Sequence, residues 1–385
     1  MQYGALIGYY LIYFVSNGFS SFLSKYYAEI GMSDSRIGAL MSVPTLLALA
    51  FMPLMGALSD RVSRKRYLLA AQLILMAGCC FAFPAMKTFP GMFLAVMGYS
   101  IFSVSATPVA TTISLEYCGK TGKSYGLIRL SGTIGYQLGA LLVGAILSAS
   151  LKSLYPMMAI SMLLACAVTF FMPNVEGHQH NRRRVPFTRL FRDRRLVWLY
   201  GIIFFATVGT QFFTAFFAKY LGDLGMSNGE VSLITFLSTV PELPFLLFGD
   251  KIARKINVWN GLLLGLLFSA VRWLGLAFSR SFAPIMAVQI AAVSCMACFE
   301  FLPAFYLNRR VAPESIGAAQ TMLTLTTFGM GKIVGGLLGG MVCERVGIPA
   351  VFAFNGIAAL IGLGLLWRPT RRLIAEERIR EEETA

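Results

Sequence analysis

Apolar stretches of about twenty residues recur along the whole chain, separated by short polar or basic loops. Each is long enough to cross a hydrocarbon core of roughly 30 Å as a helix. The pattern predicts twelve membrane helices, at residues 5–28, 37–58, 67–86, 90–113, 125–149, 153–172, 196–220, 231–248, 258–278, 282–305, 317–342 and 349–367. Several carry polar stripes. Helix 1 has Tyr10, Tyr13, Asn17 and Ser21; helix 4 has Ser103, Thr107, Thr111 and Ser114; helix 7 has Thr207, Thr210, Gln211 and Thr214. Spacing of three or four residues puts each set on one helix face. Such faces line a central cavity or hydrogen-bond between helices.

Composition supports the membrane reading. Hydrophobic residues make up 57% of the chain and charged residues 13%, against about 25% charged in soluble domains. The net charge of +15 does not indicate nucleic acid, because the bases sit in short loops and form no single basic surface. They crowd one side: Arg61, Arg64, Lys65 and Arg66, Lys120 and Lys123, the run from Arg182 to Arg195, Lys251, Arg254 and Lys255, Arg309 and Arg310, and the tail from Arg368. The positive-inside rule puts that side, with both termini, in the cytoplasm of a multi-pass inner-membrane protein. Trp198, Trp259 and Trp367 fall at the same ends and are expected to be interface anchors. The first apolar run lacks a basic start and is too long for a signal core, so it is counted as helix 1.

The two histidines, His178 and His180, lie in the central loop. Cys295-x-x-Cys298 has no second pair or nearby histidine, so neither a metal nor a cofactor is expected. The cysteines are expected to be small apolar core residues. No nucleotide-binding loop and no nucleophile–base pair is visible, so neither ATP-driven transport nor an enzyme is expected.

The chain is also repeated. Gly56 to Arg66 (GALSDRVSRKR) has an echo at Gly249 to Lys255 (GDKIARK), half a chain later. GMSDSRI at 31–37 matches GMSNGEV at 225–231. Gly135, Gly139 and Gly144 in helix 5 match Gly331, Gly335 and Gly340 in helix 11. Small residues at such spacing let helices approach closely. The expected domains are an N-terminal six-helix bundle (1–173), a basic linker (174–195), a C-terminal six-helix bundle (196–368) and a tail (369–385) that is a short charged helix or disordered. Two parallel halves of this kind form a transporter architecture.

Ionisable side chains within a bilayer are expensive and mark functional sites or partners. Five fall inside predicted spans: Arg129, Glu242, Arg272, Glu300 and Lys332. Glu242 lies between Pro241 and Pro244, which free backbone carbonyls. It suits a carboxylate that takes up and releases a proton, or an ion-pair partner tying helices together. Glu300 could share the proton role or reach water at the cytoplasmic end. Arg129 suits a fixed anchor for an anionic or polyhydroxyl group, or pairs with Glu116 across the short loop. Lys332 aligns with Tyr136 across the repeat and is expected in the same cavity. Arg272 is expected to be in a structural or gating pair.

Gly56, Leu58, Asp60, Arg61, Arg64 and Lys65 reproduce the cytoplasmic motif G-x-L-x-D-R-x-G-R-[RK], with Ser63 at the usual second glycine. On these residues the chain resembles the major facilitator superfamily. Tyr125–Gly135 (YGLIRLSGTIG), Glu242, Arg272-Trp273 and Gln289 make it similar to the group holding phenylpropionate-type, nucleoside and lactose-like proton symporters. Ser114 and Ala292 depart from that group, whose members often carry an acidic residue and a histidine near these places. The resemblance implies an all-α fold of twelve transmembrane helices in two pseudo-symmetric six-helix bundles.

The expected function is secondary transport of a small organic solute, anionic by the charge balance, through alternating access with proton symport. Efflux by proton antiport is the alternative; a non-transporting sensor on the same fold is a third class. Glu242 and Glu300 are the proton-coupling candidates. Arg129, Lys332, Tyr13, Asn17, Thr107, Thr111, Tyr136 and Gln211 are the substrate-binding candidates. Gly56, Asp60, Arg61, Arg64, Lys65, Asp250 and Lys251 are expected to form a conformational latch, and Arg272 a structural or gating charge. The expected partners are solute, proton and lipid, with the protein acting as a monomer.

Overall fold

The computed structural model describes residues 2–62, 64–147, 151–174, 193–239, 256–292, 295, 297–311 and 315–384. Every regular element among them is helical. The fold is the twelve-helix one expected, and ten helices among the described residues are long and apolar enough to cross a membrane. The spans are α1 (Gln2–Glu29, with a 3-10 turn at Ser20–Phe22), α2 (Asp34–Arg61), α3 (Lys65–Ala82), α4 (Phe89–Thr121), α5 (Tyr125–Ile146), α6 (Leu154–Thr169) and α7 (Arg194–Asp223). They continue with α8 (Asn228–Leu237), α9 (Val258–Phe278), α10, α11 and α12 (Ile348–Thr384). α10 is described as Phe282–Gln289, a π-helix at Ala297–Phe301 and Leu302–Arg310. α11 begins at Ile316–Thr324, passes through π-helices at Leu325–Met330 and Val334–Leu338, and ends at Gly339–Val346.

Local chemistry sets many of the ends. The Thr88 side chain accepts the Gly91 amide ahead of α4, Ser124 does the same for Gly126 ahead of α5, and Asn257 for Trp259 ahead of α9. Polar caps of this kind satisfy otherwise orphaned helix amides. α4 runs to Thr121, beyond the apolar stretch, and stops at Gly122, whose φ of +68° suits the left-handed helix-ending position. α12 continues through the charged tail to Thr384, so of the two expectations for the tail, helix is the one found.

The matched GMS segments are the same turn twice. Gly31 and Gly225 both have φ of +81°, a backbone that glycine adopts without Cβ strain. Gly31 and Met32 donate back to the carbonyls of Ala28 and Tyr27; Gly225 and Met226 donate to those of Gly222 and Leu221.

Contacts group the chain into two compact units, Met1–Asn181 with Phe217–Phe236, and Arg182–Phe216 with Leu237–Ala385. In the first, α1 packs on α5 nearly backbone to backbone. A Cβ on Gly135 would strike the Leu11 carbonyl, one on Gly139 the Val15 carbonyl, and one on Gly18 the Tyr136 carbonyl. α3 packs against α4 and α6. Phe83 stacks on Tyr155 at 4.0 Å between ring centres, and the hydroxyls of Tyr27 and Tyr155 meet at 2.6 Å. In the second unit, α9 packs along α12, with Trp273 stacked on Phe352. α11 meets α7 through the matching glycine: a Cβ on Gly335 would strike the Val208 carbonyl.

Trp259 corrects an expectation. It is fully buried, packed edge-on to Tyr306 in a core with Leu262, Leu266 and Phe299. The lipid-accessible face of α9 carries Leu264, Leu267, Phe268 and Val271 instead. Position 259 falls on the opposite side of the helix, so its indole cannot reach the interface. Trp367 is exposed and Trp198 half-buried, as anchors require. All seven cysteines are free, and all but Cys79 are buried.

Gly139→Val should lower the thermal midpoint of the detergent-solubilised protein, because overpacking costs about 1–3 kcal/mol. Gly78→Ala, with nothing within 4 Å of the added Cβ, should leave the midpoint unchanged or higher. Equal midpoints for the two variants would contradict the packing described.

Candidate functional site

The glycine contact of α1 with α5 builds the first group of site residues. Close approach at Gly132 and Gly135 brings the Phe14 ring beneath Arg129, whose guanidinium carbon lies 5.2 Å from the ring centre. The expected alternative, an Arg129–Glu116 pair, is not formed. Glu116 binds Lys120 one helical turn along α4, at 2.8 Å, and Arg129 is exposed. Arg129, Thr133, Tyr136, Ala140 and Gly144 share one stripe of α5 by helical spacing. Ile134 and Leu138 lie on the other exposed side.

Beside Arg129 stands an aromatic and hydroxyl cluster. Tyr10 and Thr111 join α1 to α4 through a 3.1 Å hydrogen bond. Tyr9 stacks on Tyr13, and Tyr10 on Phe14. Tyr13 is buried, and Asn17 donates to the Tyr13 carbonyl at 3.5 Å. Thr107 and Asn17 are half-buried. The polar stripes are thus partly taken up in holding helices. Phe14 and Tyr9 went unnoticed in the sequence because aromatic side chains in an apolar span look like core. Only the glycine ladder signals that α1 residues reach α5.

The second group lies in the other unit. Gln211 is buried and donates to the Thr327 carbonyl at 3.2 Å. That carbonyl belongs to the first π-helix of α11, where widened turns free backbone groups for side chains. Lys332 is half-buried in the short helical piece Gly331–Ile333 between the two π-helices. Among the described residues it has no hydrogen-bond or ion-pair partner. Glu300 is half-buried in the π-helix of α10 and has a partner.

Arg272 lies inside the second unit. It is 5% exposed, between the rings of Phe213 and Trp273 at 4.2 and 4.8 Å, and its Nε donates to Gln289 at 3.1 Å. Stacked aromatic faces stabilise a guanidinium that burial would otherwise penalise. A crevice of about 260 Å³ adjoins this cluster, lined by Phe205, Gly209, Trp273, Val334 and Asn355.

Glu242, Asp250 and Lys251 lie outside the described residues, as do the side chains of Gly56, Asp60 and Arg61. Of the first motif copy, Arg64 is exposed beside the Tyr67 ring and Lys65 is 4% exposed. No group of three or more histidine, cysteine, aspartate or glutamate side chains positioned to hold a metal occurs among the described residues.

The model of the MFS_1 like family matches residues 3–354. The chain belongs to the major facilitator superfamily. It is 27% identical over 380 residues to the uncharacterized transporter YwbF of Bacillus subtilis (strain 168), covering 94% of this chain and 92% of that protein. It is 26% identical over 371 residues to the maltose permease of Geobacillus stearothermophilus, covering 93% and 92%. The crystal structure of the nucleoside transporter NupG has the same fold, with a TM-score of 0.82 at 18% identity over 94% of this chain and 98% of that one. As a member of this superfamily the protein is a multi-pass membrane secondary transporter.

If the Arg129 stripe lines a watery path, Arg129→Cys in a cysteine-free background should react at least about tenfold faster with a water-soluble maleimide than Ile134→Cys, since only hydrated thiols ionise readily. Both positions are read in membrane fragments open to reagent on both sides. Equal rates would place the stripe against lipid.

Proposed function

We propose that the protein is a proton symporter for a small organic solute carrying an anionic group. The observation that carries this reading is a pair of intramembrane cations, Lys332 and Arg129, with no carboxylate partner among the described residues. An unpaired cation in low dielectric is costly, and a bound anion relieves that cost. The aromatic and hydroxyl groups of Tyr13, Asn17, Thr107, Thr111, Tyr136 and Gln211 suit the uncharged remainder of the solute. The named solutes of the relatives, maltose and nucleosides, differ from each other, so the chemistry of this chain's own residues decides the class.

In this reading the domains are the two six-helix repeats, which rock about a midplane site. Glu242 or Glu300 carries the proton, and neutralising the carboxylate lets the loaded carrier reorient. Arg272, clamped by Phe213, Trp273 and Gln289, is a structural charge that keeps α7, α9 and α10 in register. Asp60, with Gly56, Arg61, Arg64, Lys65, Asp250 and Lys251, latches the basic-loop side. That side faces the cytoplasm of the inner membrane, and the transporter acts as a monomer.

The test uses purified protein in liposomes with an imposed pH gradient and a panel of aromatic acids, sugar acids, nucleosides and neutral sugars. An anion should accumulate with the proton gradient. Lys332→Gln and Arg129→Gln should each raise its half-saturating concentration about tenfold or more, as loss of a desolvated charge partner does. Glu242→Gln should abolish uphill accumulation and spare exchange. Solute movement against the proton flow would mean antiport, and no movement of any solute would remove the symport reading.

Asp60→Asn tests the latch separately. It should slow transport by about tenfold at normal expression, because a charge-assisted contact holding one state is lost. An unchanged rate would leave the motif as a topology signal alone.

A further inference from the structure

The two GMS turns carry the same lysine six residues ahead of the glycine. Lys25 precedes Gly31 as Lys219 precedes Gly225, and Asp34 stands where the second copy has Asn228. The structure crosses these equivalents over. Lys25 Nζ donates to the carbonyl of Met226, in the second turn, at 3.0 Å. Lys219 Nζ lies 3.2 Å from the carboxylate of Asp34, just past the first turn, and 2.6 Å from Asp223 on its own helix. Lys219 and Asp34 are 13% and 17% exposed. Water screens such a pair less than one on an open surface. All of these residues belong to the first compact unit, which takes in Phe217–Phe236.

A second layer lies beside this one. The buried Asn228 side chain donates to the Leu147 carbonyl at 2.7 Å. Ser232 Oγ donates to the Ala140 carbonyl at 2.8 Å, and its seat on α5 is the bare backbone of Gly144, where a Cβ would collide with it. Ala140 and Gly144 continue the Arg129–Tyr136 stripe toward the end opposite the basic loops. The face that bears Arg129 is therefore capped at that end by hydrogen bonds to backbone carbonyls.

We infer that Lys25 and Lys219, with Asp34, Asn228 and Ser232, form a reciprocal clasp that must break for solute to reach the Arg129–Tyr136 face from the end opposite the basic loops. The inference rests on the transporter reading and not on the identity of the solute. The two arms differ chemically. The Lys25 arm binds a backbone carbonyl and survives most side-chain changes on its partner. The Lys219 arm depends on the charge of Asp34. The second repeat has the neutral Asn228 at the matching place, and that residue turns to the Leu147 carbonyl instead.

The experiment uses the full chain without cysteines except a reporter, Tyr136→Cys, in right-side-out and inside-out vesicles, with a membrane-impermeant maleimide as probe. Asp34→Asn, Lys219→Met and Lys25→Met should each raise the labelling rate by about three- to tenfold in one vesicle orientation only, as loss of a partly buried charge contact would. Exchanging the charges, Asp34→Lys with Lys219→Asp, should return the rate toward that of the parent. The orientation in which the rise occurs reports which end faces outward, so a failed topology assignment is told apart from a failed clasp. Solute transport is not read, so a wrong solute class does not affect the outcome. Unchanged rates in Asp34→Asn and Lys219→Met proteins that remain monodisperse would overturn the clasp. Equal rises in both orientations would also overturn it, since they report general loosening.

Discussion

The close approach of α1 to α5 over bare glycine backbone is the contact on which the rest of the first unit depends. In a bilayer, lipid tails are as apolar as leucine, so helices associate by packing and by hydrogen bonds more than by hydrophobic burial. Gly18, Gly135 and Gly139 leave no Cβ between the helices, and carbonyls of one helix lie against the other. Phe14 then falls beneath Arg129, and Tyr10 within hydrogen-bonding reach of Thr111. Gly335 does the same work where α11 meets α7.

The intramembrane cations are handled in two ways. Arg272 is enclosed by two aromatic faces and a glutamine. Lys332 has no hydrogen-bond or ion-pair partner among the described residues, and Arg129 is exposed over the Phe14 ring. A lysine between two π-helical stretches also lies where the backbone ladder is irregular, and such bulges are frequent at functional sites. The contrast separates a cation enclosed by side chains from two without a carboxylate partner among the described residues, although all three sit in apolar spans.

The two matching turns have equal backbones and unequal side-chain partners. Gly31 and Gly225 keep the same left-handed backbone and the same pair of back-donated hydrogen bonds. Asp34 and Asn228 occupy matching places with different partners, Lys219 and the Leu147 carbonyl. A capping box, in which Ser227 and Glu230 satisfy each other's backbone and side chain, starts α8 alone. Equal backbone with unequal side chains lets one joint carry an ionic contact and its twin a neutral one.

The sequence by itself determined the membrane class, the number of helices, the repeat and the family. These follow from apolar run length, loop charge and glycine spacing, which are local or periodic along the chain. It also marked Arg129, Lys332 and Gln211, because polar groups in apolar spans are rare. Tertiary structure alone decided what those groups touch. Whether Trp259 faces lipid or core, whether Arg129 meets Glu116 or Phe14, and what encloses Arg272 all depend on helix rotation and on contacts between residues far apart in the chain. A hydropathy pattern does not encode rotation about a helix axis when most faces are apolar. The crossing of Lys25 and Lys219 shows the limit most clearly: both lysines are visible as repeat equivalents, but only the packed turns show that each reaches into the other's copy.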